Sequence, residues 1–177
     1  MGWFSRKPSQ EQSVSALTTT TLRFYRASVD SNPSIFGLVF RRPHGRYIHL
    51  LGCLTAAHVG LAPKFGNADA VLNEVTQLIV AMALSDEGRK TFDPPKLPQD
   101  AVSVMSKFLP DFLNRWSAWI DIKAGANPQA GTSVIASILH DSQTTGPMVA
   151  VDAQRLRTMA EWFEETVQKL RTSDKLP

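Results

Sequence analysis

Residues 67–89, NADAVLNEVTQLIVAMALSDEGR, decide how this chain is read. Val71, Leu72, Val75, Leu78, Ile79 and Met82 recur at steps of three and four, the period of one helix face. Asn67 stands where a cap belongs, and Asp69 sits at the positive end of the helix dipole. Gly88, followed by Arg89 and Lys90, marks the far end. Within the stretch, residues 78–84, LIVAMAL, are apolar on every side, which a surface helix is not. The reading is a central helix, with Leu78, Ile79 and Met82 buried and the other helices packed around it.

On the C-terminal side, Asp93-Pro94-Pro95-Lys96-Leu97-Pro98 is a stiff connector that cannot be helical. Residues 99–123 then carry Val102, Met105, Phe108, Leu109, Phe112, Leu113, Trp116, Trp119 and Ile120 at helical spacing. Pro110 falls inside this run and predicts a kink or a restart. Gly125 stops it, and Asn127-Pro128 opens a further helix bearing Val134, Ile135, Ile138 and Leu139. After the break at Thr144-Thr145-Gly146-Pro147, Asp152 is read as the cap of a last helix. That helix buries Leu156, Met159, Ala160, Phe163, Val167 and Leu170 and is supported by the Glu165–Lys169 pair.

Toward the N-terminus the pattern is less decided. Residues 13–30 hold a helical stripe (Val14, Leu17, Thr21, Phe24), yet the four threonines 18–21 favour a strand. Residues 34–40, SIFGLVF, stay open, while residues 47–61 read as a helix whose first half could alternatively close a hairpin through Pro43 and Gly45. Residues 1–12 read as a flexible arm and 13–177 as one domain. The fold class is mainly α: a single-domain bundle of about five to six helices, with a short β-hairpin possible within residues 19–54.

The 177 residues suffice for one substantial core, and 43% hydrophobic with 20% charged residues is a globular balance. The lone Cys53 excludes an internal disulfide and points to a reducing cytoplasm. The longest strongly apolar uncharged run is taken to be 78–84, well short of a membrane span, and residues 1–12 contain no apolar signal core. The net charge of +3 is uneven: residues 1–60 carry seven Lys/Arg against Glu11 and Asp30, whereas 61–177 are net acidic. A basic N-terminal third suits nucleic acid, an anionic membrane or an acidic partner.

Chemistry-bearing motifs are sparse. Leu54-Thr55-Ala56-Ala57-His58-Val59 resembles the histidine segment of trypsin-like serine proteases. Asp141-Ser142 stands loosely where that family has its nucleophile, with Asp100 available as orienting acid. The resemblance departs where His140 and Gln143 replace the glycines that shape the oxyanion turn, and it implies two β-barrels in a chain that reads as helical. His49 and Cys53 are spaced to share a metal ion but lack a third ligand, and His140-Asp141 resembles the His-Asp pair of metal-dependent phosphohydrolases without the upstream histidine. No phosphate loop or paired CxxC appears, so neither a cofactor nor a metal is expected.

The densest candidate is the loop Arg41, Arg42, His44 and Arg46, whose guanidinium forks suit phosphate or carboxylate. Trp3, Phe4 and Trp162 are candidate interface aromatics. The functional expectation is a non-catalytic helical protein that binds another protein. Binding of nucleic acid or membrane through the basic third is the alternative, and a hydrolase using His58 or His140 the second.

Overall fold

The structure is a computed structural model that describes residues 7–30, 44–92, 98–124, 128–143, 146–147 and 150–177. Seven α-helices occupy them: α1 (Gln10–Asp30), α2 (Gly45–Leu61), α3 (Ala68–Leu84), α4 (Asp86–Phe92), α5 (Pro98–Ala124), α6 (Pro128–Gln143) and α7 (Ala150–Thr172). A 3₁₀ turn, Ala62–Lys64, links α2 to α3. The mainly helical, single-domain fold is as read. The hairpin within residues 19–54 is not: residues 19–30 and 45–54 are helical, and 31–43 lie outside the described residues.

The centre of the bundle is α2, which packs against α1, α5, α6 and α7. Every side chain from Tyr47 to Leu61 is buried. This corrects the placement of α3 at the centre. On α3, Val71, Leu72, Val75 and Ile79 are buried, but Leu78 is 45% exposed and Met82 38%. The physical reason is in the sequence: residues 47–63, YIHLLGCLTAAHVGLAP, contain no Asp, Glu, Lys or Arg. That uncharged run is more than twice as long as 78–84. A helix enclosed on all sides shows no amphipathic stripe, so periodicity alone selects its one-sided neighbour instead.

Small residues let α2 sit so deep. A Cβ on Gly60 would stand 2.9 Å from Leu170 Cβ, so α7 approaches the backbone of α2 there as only glycine permits. The two helix C-termini also exchange cations. Lys64, just past α2, donates to Leu170 O, and Arg171 of α7 donates to Val59 O at 3.0 Å. Each side chain satisfies a carbonyl that a helix end leaves open.

Local chemistry sets the other ends. The chain enters α1 through a capping box: Ser9 Oγ accepts from Gln12 N (3.2 Å) and Gln12 Oε1 accepts from Ser9 N (3.0 Å). Residues 10–12, read as part of a flexible arm, are therefore α1, and residues 13–30 are helical despite the threonine run. Thr21 returns its hydroxyl to Leu17 O at 2.8 Å, a helical alternative to strand pairing. Gly88 does not close α3. Ser85 does, its N–H bonding Ala81 O and Met82 O, while its Oγ accepts from Gly88 N at 3.0 Å and starts α4.

Helix α5 runs through Pro110 as one element rather than restarting, with the proline exposed. Helix α7 starts at Ala150, so Asp152 lies in its first turn and is not its cap. The connector residues 93–97, Gly125, Asn127 and Thr144-Thr145 lie outside the described residues. Trp116 and Trp119 of α5 are both buried and meet edge to face at 5.3 Å, filling the core between α2 and α6.

Candidate functional site

The histidines on which chemistry was sought sit in separate surroundings. His49 of α2 is fully buried. Its Nε2 lies 2.7 Å from Ser28 Oγ of α1, and its Nδ1 lies 3.2 Å from Ser142 Oγ of α6. Both serine hydroxyls also donate to carbonyls of their own helices, Ser28 to Tyr25 O and Ser142 to Leu139 O. Both ring nitrogens are within hydrogen-bond reach of a serine hydroxyl, so the neutral ring can donate from one and accept at the other. Burial pushes His49 down to about 4, so the ring is neutral at pH 7.

Cys53 Sγ stands 3.7 Å from His49 Nε2, one turn along α2, and burial drives its thiol well above the ordinary range. The i, i+4 approach of His49 and Cys53 is thus real, but its third member is a serine hydroxyl. Among the described residues no group of three or more His, Cys, Asp or Glu could hold a metal ion. The cluster ties α1, α2 and α6 together, a latch of satisfied polar groups within the core.

His58, near the end of α2, is buried, and burial lowers its affinity for a proton while the charge of Asp69 partly restores it. No hydrogen bond or ion pair joins His58, Asp100 and Ser142. Ser142 faces His49 instead. The protease-like constellation is therefore not assembled, and Ser142 has no exposed surface.

His140 donates from Nδ1 to Asp141 Oδ1 at 3.1 Å. Arg115 bridges Asp141 (2.6 Å) and Asp111 (2.8 Å), stitching α5 to α6. Burial alone would raise the Asp141 carboxyl, but His140 and then Arg115 hold it below the usual carboxylate range. A second cross-link joins α5, α6 and α7: Glu164 pairs with Lys123 and accepts from Thr132 Oγ1 at 2.8 Å.

Of the basic loop, Arg41 and Arg42 lie outside the described residues. His44 adopts a left-handed conformation (φ 60°, ψ 21°) immediately before α2, and Arg46 is exposed on its first turn. Trp3 and Phe4 likewise lie outside the described residues. Trp162 is 38% exposed, but its ring already packs edge-on against Phe24 (5.7 Å) and Phe163 (5.0 Å). It is the rim of an α1–α7 aromatic cluster.

A cleft of about 910 Å³, lined by both polar and apolar side chains, opens between the start of α1, the 3₁₀ turn and residues 174–177. Lys7 and Lys64 line it, yet their ammonium groups are engaged by Phe65 O and Leu170 O.

The surface that periodicity misassigned is the distinctive one. Leu78 and Met82, one turn apart on α3, prolong the stripe that Val71, Val75 and Ile79 bury, but leave the bundle uncovered, with Ala81 exposed beside them. Glu74 is exposed one turn before Leu78 on the same helix, and Asp86, whose side chain is 94% exposed, opens α4 beyond the extended Ser85. The sequence signal was present as an apolar stripe; whether a stripe is covered depends on neighbours that no local pattern names. No protein-family model, curated protein or solved structure matches this chain.

Proposed function

We propose that this protein acts by binding another protein, with no catalysis of its own. The observation that carries the reading is the exposure of Leu78 and Met82 side by side on α3. One exposed leucine is ordinary. Two large apolar side chains in register with a buried stripe form a continuous ledge, the kind of surface that a partner covers. The groups best suited to chemistry, His49, Cys53 and Ser142, are spent on holding helices together inside the core. No helix among the described residues is long and apolar enough to cross a membrane. The buried, unpaired Cys53 supports a reducing compartment, the cytoplasm, as the place of action.

The test is affinity capture from cell extract with the wild-type chain and with Leu78→Ser/Met82→Ser, after showing that both melt alike. The wild type should retain proteins that the double variant loses. Identical capture by the two would overturn the reading. So would capture that is lost in an Arg41/Arg42/Arg46 triple-alanine variant and is competed by a polyanion, since that describes an anionic surface as the partner.

A further inference from the structure

We infer that the cleft between the start of α1, the 3₁₀ turn and residues 174–177 binds a small organic phosphate. Its walls come from three separate segments, and its volume of about 910 Å³ is that of a ligand pocket. The third wall is held in place. Ser173 Oγ accepts from Lys175 N and donates to Lys175 O, both at 3.2 Å, and Leu176 packs against the core.

Hydrogen-bond donors dominate the lining. Lys7, Lys64 and Lys175 bring three ammonium groups, and Ser15 and Thr19 bring two hydroxyls one turn apart on α1. Gln12 adds its amide NH2, because its Oε1 already accepts from Ser9 N. Lys7 and Lys64 each give one hydrogen to a main-chain carbonyl, Phe65 O and Leu170 O. An ammonium group has three, so the carbonyl bond orients the group and leaves two hydrogens for a guest.

The charge of the cleft is also uncompensated. Lys123 and Lys169 have carboxylate partners, but none of the three cleft lysines forms an ion pair among the described residues. Lys64 bears this most. Burial weakens its hold on its proton, Asp174 offsets that only in part, and Arg171 adds to it. A partly buried cation of this kind is stabilised by an anion that reaches it.

The same lining selects the guest. A phosphate group offers several acceptor oxygens, which suits ammonium point charges set beside neutral donors. Ala16, Pro63 and Leu176 give an organic body an apolar seat. Three lysines against Glu11 and Asp174 leave an excess of one positive charge. That is enough for one compact anion and too little for the run of phosphates by which nucleic acid is held.

The experiment follows the amide NMR spectrum of the full chain during titration with phenyl phosphate, and with benzylamine as a cation of similar body. Phenyl phosphate at about 1–10 mM should shift the amides of residues 11–19, 64 and 173–176 saturably, and bind about tenfold or more tighter than benzylamine. Lys7→Gln/Lys175→Gln, at two exposed positions, should weaken it about tenfold while melting stays unchanged. Lys64→Gln should weaken it further. Should that variant not fold, the exposed double variant decides.

Absence of a saturable shift in the cleft, equal affinity for benzylamine, or binding that Lys7→Gln/Lys175→Gln leaves intact overturns the inference. Tighter binding of a single-stranded RNA of about ten nucleotides that needs the same lysines overturns it in favour of nucleic acid. The protein-binding reading rests on the α3 face and not on this cleft, so either can fail alone.

Discussion

His49 gathers more consequences than any other single residue. It is neutral because its site strips its hydration, which takes it from an ordinary 6.5 down to about 4. Between these values the unfolded chain binds a proton that the folded chain refuses. Stability therefore rises with pH across this window and is lost as pH falls from about 6.5 toward 4. At about 1.4 kcal/mol per pH unit the loss is about 3 kcal/mol, to which His58, shifted the same way, adds. Urea unfolding at pH 7.5 and 4.5 measures it. His49→Gln should be less stable at pH 7.5, yet show a clearly shallower loss on acidification. An unchanged slope would mean that another group titrates. Asp141, held low by His140 and Arg115, acts only further down, as pH falls through and below the ordinary carboxylate value.

At the scale of elements, the meeting of α2 and α7 is the most constrained contact. Gly60 lies under Leu170, and the neighbouring Lys64 and Arg171 each donate to a carbonyl of the other helix. An alanine at position 60 would gain roughly 1 kcal/mol of helix propensity. It would also push its Cβ against Leu170 Cβ, which is fixed to the α7 backbone and cannot swing aside. Overpacking of this kind costs about 1–3 kcal/mol. Gly60→Ala should thus lower stability on balance, whereas Gly52→Ala, whose Cβ would meet Ile138 and Phe112 at 3.6 and 3.8 Å, fits within ordinary contact. Thermal unfolding of the two variants side by side separates close packing from intrinsic propensity. If Gly60→Ala were the more stable protein, α7 could move away from α2 freely and the interlock would be loose.

For the whole molecule, the question is which helix the others are built around. Leu51 has no exposed surface on α2, while Leu78 is nearly half exposed on α3. Leu51→Ala should cost about 2–5 kcal/mol, the range for emptying a closed core site. Leu78→Ala should cost well under that, close to the small effects of surface positions. Denaturant unfolding of the pair checks the assignment directly: equal losses would return α3 to the centre. The same comparison bears on function, because a leucine that contributes little to the fold is free to serve a partner.

Periodicity, caps and breakers were enough to place four helical segments from residue 68 onward, because each of those signals acts within a turn or two of chain, but they ran α3 and α4 together through Ser85. Some local signals were stronger than their reading. Ser9 with Gln12, and Ser85 ahead of Asp86 and Glu87, are capping patterns that mark the starts of α1 and α4. The uncharged run 47–63 marks the enclosed helix. What local pattern could not decide was contact between distant segments. Ser28, His49 and Ser142 are separated by 21 and 93 positions and meet only because α1, α2 and α6 pack together. Likewise the stripe from Val71 to Met82 is continuous in sequence, but is covered at Val71, Val75 and Ile79 and bare at Leu78 and Met82. The sequence by itself determined which residues are apolar and on which helix face they lie. Only the tertiary structure decided which of those faces is covered, because burial belongs to the neighbours that a face finds and not to the face.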